Sequence, residues 1–218
     1  MAKVKAVFRT ILMTACGVLP LRAAVVFGQI EDFSESHGWT SGDSNPNPPV
    51  VVPDSGPLGG GDSALRVTSN GGSDAGGRLV VYNRTLWAGN YTAAGVSTIA
   101  ADLRNTGTNT LSFRLAFNGP GGWFVTTASP VAAFTGWVRQ EFTIGTGSLV
   151  SAGGTDAAST LAAVSEFRIL HSSAVGFRGA QVSSSFMVDG IQAIPEPSAW
   201  IIAAMAGIGT LFRKRGIV

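Results

Sequence analysis

The sequence predicts an all-β fold built as a sandwich of two sheets. Three observations lead there. Short runs of alternating or β-rich residues recur along the chain, and clusters of Gly, Asn, Ser and Pro separate them, drawn from 29 glycines and 10 prolines in 218 residues. Between the two ends of the chain no long run has the apolar period of a helix; residues 160–164 have room for one turn.

The expected strands are 64–68, 78–83, 96–103, 110–117, 123–127, 137–144, 166–171 and 185–191. In Leu111-Ser112-Phe113-Arg114-Leu115-Ala116-Phe117 strict alternation sends four large apolar side chains to one face. The run 137–144 is less regular, yet Phe142 and Ile144 still share a face. Residues 41–61, crowded with Pro46, Pro48, Pro49, Pro53 and Pro57, read as an extended surface excursion, because proline cannot donate to a ladder. Val50-Val51-Val52 inside it suits a short edge strand. About nine short strands with glycine-rich turns favour the sandwich over a closed barrel. A right-handed solenoid would need a fixed repeat, and none is found.

Both ends of the chain read as addresses. Lys3, Lys5 and Arg9 precede an apolar stretch, 11–21, followed by small residues, which is the layout of a secretory signal peptide over 1–28, cut after Gly28 or Ala24. The only cysteine, Cys16, lies inside it. The remaining domain, 29–193, therefore has no thiol and no disulfide. At the other end Pro195-Glu196-Pro197 leads into an apolar run, 198–212, capped by Arg213-Lys214-Arg215. As a helix that run is about 22 Å long against a hydrocarbon core of about 30 Å, a shortfall that snorkelling cations and local thinning make up. This ordered trio over 194–218 resembles the PEP-CTERM sorting tail of Gram-negative bacteria. The resemblance implies recognition by exosortase, transient membrane insertion of a short C-terminal transmembrane helix, and export through the inner membrane to the cell envelope, surface or matrix. Members of that family are associated with exopolysaccharide and biofilm.

Setting the addresses aside reverses the charge. The whole chain carries a formal +2, but residues 29–197 hold eight basic side chains, all arginine, against thirteen carboxylates, a net of −5. No basic run occurs there, which argues against nucleic acid as a partner. The length, about 165 residues, suits a single core.

A second resemblance joins the domain's two ends. Glu31-Asp32-Phe33 with Trp39, and Phe186-Met187-Val188-Asp189-Gly190-Ile191-Gln192-Ala193, are similar to the first and last strands of jelly rolls of the carbohydrate-binding-module type. Gly136-Trp137 and 161–169 fit the same plan. The likeness implies a jelly roll whose first and last strands pair. It also implies a structural calcium ion where they meet, with Asp189 and Glu31 or Asp32 among its ligands, completed by carbonyl oxygens.

No constellation for catalysis is found. His37 and His171 lack metal spacing, and no Gly-x-Ser-x-Gly elbow occurs in the domain. The carboxylates Glu31, Asp32, Glu35, Asp102, Glu141 and Glu166 show no pairing suited to hydrolysis. The domain reads as a non-enzyme. Aromatic rings are the candidates for sugar recognition, since the C–H faces of a pyranose pack on a flat π surface. Trp87 and Tyr91, set among Asn and Arg, and Trp123, at a loop-to-strand junction, are the expected ligand-binding residues, with core packing as the competing role for each. Trp39 and Trp137 match core positions of the jelly roll. Two functions are expected from this: a glycan-binding surface or matrix protein, or a purely structural, adhesive module with protein partners.

Overall fold

Leu111, Phe113, Leu115 and Phe117 all turn to one side of their strand and are fully buried, so the alternation written in the sequence is the alternation of the core. The computed structural model describes residues 24–195. The expected signal segment up to residue 23, Glu196, Pro197, the apolar run 198–212 and Arg213-Lys214-Arg215 lie outside the described residues. Pro195 ends the last strand, opposite Val96.

Two antiparallel sheets of six strands face each other. The first runs in the order β2 (Val50–Val52), β3 (Ala64–Asn70), β12 (Ser183–Pro195), β5 (Val96–Asn105) and β9 (Val138–Thr143), and β1 (Ile30–Glu31) also pairs with β12. The second runs β10 (Val150–Ser151), β7 (Gly122–Val125), β6 (Leu111–Gly119), β11 (Glu166–His171) and β4 (Val80–Asn83), and β8 (Ser129–Val131) pairs with β6. A short helix, α1 (Ala157–Ala162), precedes β11, and the Asp156 side chain caps it by accepting from the Ala158 and Ser159 amides.

Each strand expected between residues 64 and 191 is present, as is the Val50–Val52 edge strand, while the one helix among the described residues starts earlier than the turn expected at 160–164 and spans six residues. Strands β8 and β10 were not expected. They span three and two residues, too short to carry an alternation.

The first and last strands pair, with Ile30 opposite Gln192 and Glu31 opposite Ile191. They meet beside a bulge, where the β12–β5 register shifts between Asp189 and Gln192 and Gly190 takes a φ of 55°. Before the bulge Phe186 and Val188 enter the core; after it Ile191 and Ala193 do. The shift keeps both halves of one long strand apolar on the same side.

The carboxylates named for the expected calcium site lie at this junction, each in a different setting. Glu31 is buried and its oxygens are engaged: Oε2 accepts from the Trp39 indole (3.1 Å), and Oε1 accepts from the Phe33 amide (3.4 Å) and meets His37 Nδ1 (2.6 Å). These contacts fasten the loop that follows β1. Asp32 accepts from the Ser34 amide. Asp189 is 4 % exposed, and its Oδ1 has no hydrogen-bond partner. Among the described residues, no three His, Cys, Asp or Glu side chains are placed to hold a metal ion.

Phe33, Trp39, Trp87, Tyr91, Phe117 and Phe167 meet in one aromatic cluster of the core. Phe167 stacks on Trp87 (5.5 Å between ring centres) and takes the edge of Trp39 (5.9 Å), while Tyr91 meets Phe117 edge-on (5.4 Å). Fully buried Asn83 ties the surrounding segments together, accepting from the Trp87 and Thr85 amides and donating to the His37 carbonyl.

Two predictions follow from this packing. Trp87→Ala removes a fully buried indole and should destabilise the fold by about 3–5 kcal/mol, measured by urea unfolding. The second concerns pH. Burial, with added repulsion from Asp62, Asp102 and Asp32, lifts the Asp189 carboxyl from its ordinary 3.8 to about 7. The folded chain thus keeps a proton that the unfolded chain releases, and stability should fall as pH rises from about 4 to 7. His37, raised by its hydrogen bond to Glu31, acts in the same direction, its contribution fading as pH climbs through its raised pKa. His171, whose pKa is lowered by burial, works the opposite way, so the comparison is between proteins: the parent should lose melting temperature relative to Asp189→Asn as pH rises from about 4 to 7. A relative rise over the same range would contradict the assignment and is the behaviour of a carboxylate that holds a cation.

Candidate functional site: the outer face of the second sheet

The same alternation that fills the core from β4, β11, β6 and β7 points a second set of side chains away from it. Arg78, Val80, Tyr82 and Arg84 are two residues apart along β4 and its flanks; Glu166, Arg168 and Leu170 alternate along β11; Ala116 and Asn118 belong to β6, and Trp123 and Val125 to β7. Strand register lines these up in rows. Trp123 lies opposite Asn118 and Asn118 opposite Glu166; in the next row Val125 lies opposite Ala116, Ala116 opposite Arg168, and Arg168 opposite Tyr82. At about 4.8 Å between strands, a row crossing four of them is about 14 Å long.

The floor of this face is a small apolar cluster of Val80, Ala116, Val125 and Leu170, against which Trp123, Ala152 and Phe177 pack. One end is roofed by the loop after β11. The guanidinium of Arg114, also on this face, donates to the carbonyls of Thr126 (2.6 Å), Ser172 (3.1 Å) and Ser173 (3.4 Å), pinning that loop down. Phe177, from the same loop, stacks flat on Trp123, with ring centres 4.3 Å apart and planes 6° from parallel.

The rest of the face is open and its charges are interlocked. Glu166, buried at the carboxylate, accepts from Arg84 Nε (2.7 Å) through one oxygen and from Arg168 Nε through the other. Arg84 lies over the Tyr82 ring (4.6 Å), and Arg168 lies 5.2 Å from the centre of Tyr82 and 4.4 Å from that of Trp123. Arg168 also donates to the Phe177 carbonyl (3.0 Å). Bound on several sides, the two guanidiniums are held as fixed donors beside aromatic surface.

The aromatic candidates thus separate. Trp87 and Tyr91 are 0 % and 1 % exposed, and their assignment to ligand binding is corrected: both rings are core, and the Tyr91 hydroxyl donates to the Trp87 carbonyl (2.8 Å). They follow a strand whose inward residues bring them under the sheet. Trp39 is core as expected, while Trp137 is half-buried. Trp123 is the expected residue that reaches the open face, half-buried and paired with Phe177 instead of standing free. Tyr82, Arg168 and Phe177 escaped the sequence reading. The alternation Arg78-Leu79-Val80-Val81-Tyr82-Asn83-Arg84 carried the signal for the first of these, whereas Phe177 sits in a loop with no period to read.

Comparison with known proteins bears on the architecture. No protein-family model and no curated protein matches the chain in sequence. Among solved structures, the solution structure of CtCBM11, a family 11 carbohydrate-binding module, aligns over 78 % of this chain and 96 % of its own at 19 % identity, with a TM-score of 0.52. An exo-β-agarase aligns over 78 % of this chain but 25 % of its own at 10 % identity, TM-score 0.53. A family 11 module from Clostridium thermocellum in complex with a β-1,3-1,4-mixed-linked tetrasaccharide gives 18 % identity over 78 % of this chain and 96 % of its own, at a TM-score of 0.49. At these identities the likeness establishes the fold: nearly all β, two antiparallel sheets, similar to the jelly roll of carbohydrate-binding modules.

Proposed function

We propose that the domain is a non-catalytic glycan-binding module whose ligand lies across the outer face of the second sheet. The observation that carries this reading is the row of half-buried rings, Tyr82 and the Trp123–Phe177 pair, with Arg168 and Arg84 held between and beside them by Glu166. Flat apolar rings suit the C–H faces of sugar rings, and fixed guanidinium and amide donors suit their hydroxyls. The described face offers a surface and not a reaction centre: its single central carboxylate, Glu166, is committed to two arginines, with no second carboxylate beside it for a hydrolytic pair. A fold similar to carbohydrate-binding modules supports the same reading without deciding it.

The ends of the chain extend the proposal to location. A signal segment over 1–28 would start export, and Pro195-Glu196-Pro197, the apolar run and Arg213-Lys214-Arg215 would present the protein to an exosortase-type enzyme. The mature domain would then work at the envelope, cell surface or extracellular matrix. The tripeptide begins where β12 ends, so the processing motif directly follows the folded body.

Binding to immobilised polysaccharides tests the first part. Trp123→Ala and Tyr82→Ala should each weaken binding by roughly tenfold or more, the loss of a stacking surface, with binding measured well below each variant's own melting temperature because Trp123 also packs on Phe177. Retention of full affinity in both variants would reject this face, and binding to protein partners but no glycan would favour the adhesive alternative. For the second part, cells lacking the sorting enzyme should accumulate the intact form in the inner membrane; identical fractionation with and without the enzyme would argue against such processing.

A further inference from the structure

The arginines of the domain are not spread evenly. Arg78, Arg84, Arg114, Arg168 and Arg178 lie on the outer face of the second sheet or on the loop bordering it, accompanied by Glu166, Asp74 and, near Arg84, Asp43. In the rest of the described chain three arginines face nine carboxylates, and there is no lysine between residues 24 and 195. An acidic domain thus carries one locally cationic surface, and it is the surface with the aromatic row.

Two of those cations are uncommitted. Arg84 and Arg168 share the one carboxylate of Glu166 and Arg114 donates to carbonyls, but Arg78 makes one bond, from Nη1 to the Gly179 carbonyl (2.8 Å), and has no carboxylate partner among the described residues. Arg178 is exposed and has only the Phe177 ring, 5.7 Å from its guanidinium carbon, beside it. Both line a depression of about 220 Å³ whose wall also includes Ser41, Tyr82 and Arg168, and both line a neighbouring one of about 500 Å³ beside Phe177. One carboxylate, Asp74, borders the smaller hollow. Guanidinium forks with free N–H groups at the edge of a sugar-stacking surface match planar carboxylates, which they hold through paired charge-assisted hydrogen bonds.

We infer that the ligand is an acidic polysaccharide carrying uronic-acid carboxylates, with its rings on Tyr82 and the Trp123–Phe177 pair and its carboxylates on Arg78 and Arg178. The inference rests on the glycan-binding reading above and narrows it to a chemical class. Neutral hydroxyls leave these two cations unpaired, whereas each carboxylate bound to them is a pairing the bare surface lacks.

The test uses the full chain in mild detergent and a panel of polyuronates (polygalacturonate, alginate and hyaluronan), each beside its carboxyl-reduced neutral counterpart, with a neutral β-glucan and dextran sulfate as further arms. At least one polyuronate should bind about tenfold or more tightly than its reduced form, in line with charged hydrogen bonds, and its affinity should drop with added salt. The double variant Arg78→Ala/Arg178→Ala should lose that preference, retain any weak affinity for the reduced chain and melt near the parent temperature. Equal binding of acidic and reduced chains would overturn the inference while sparing the glycan reading. Dextran sulfate binding as well as the best polyuronate would replace carboxylate recognition by mere charge attraction. Binding to no polysaccharide at all would remove the glycan reading itself.

Discussion

The register of β11 between β6 and β4 governs the second sheet. Phe167 lies opposite Phe117 on one side and Asn83 on the other, and this pairing sends Phe167 and Ile169 into the core while Glu166 and Arg168 face out. A slip of one residue would exchange the two sets, burying Glu166 and Arg168 among aromatic rings and exposing Phe167. The cost of that exchange locks the register, because buried charge without a partner is far more expensive than any single ladder bond. The ring cluster around Phe167 and the clamp around Glu166 are therefore two sides of one constraint.

That constraint explains how a rigid outer face arises on a domain without cysteine. Glu166 is supported from beneath by the core and holds Arg84 and Arg168 from above; Arg168 in turn reaches the Phe177 carbonyl, and Phe177 closes on Trp123. Arg114 secures the same loop from below. Side chains fixed in advance lose little freedom when a ligand arrives, which is what the proposed binding of a flexible polymer to a shallow face would require. Arg78 and Arg178, which have no carboxylate partner among the described residues, lie at the margin of this lattice, where the proposed acidic ligand would complete it.

Much of this was legible in the sequence, and the reasons are physical. Period-two patterning marked the long strands, since burial on one side imposes it, and Leu111–Phe117 was the plainest case. The pairing of the first and last strands was also anticipated, from residues around Glu31 and Asp189. What escaped were features set by tertiary arrangement. Trp87 and Tyr91 share their composition with exposed sugar platforms, and only the turn after β4 shows that they fold under the sheet. The sequence shows the charge of Glu31 but not the three groups of its own loop, the Phe33 amide, His37 and the Trp39 indole, that meet it. The open face combines residues from four strands and a loop, separated by up to about a hundred positions, so no local pattern could announce it.

The most direct measurement of the central claim is the response of the tryptophan indole N–H resonances as an acidic or neutral polysaccharide is titrated into the isotopically labelled chain. If the outer face of the second sheet receives the sugar, the Trp123 signal shifts with saturation while those of core Trp39 and Trp87 hold still. A glycan that binds and leaves Trp123 unmoved would contradict the account.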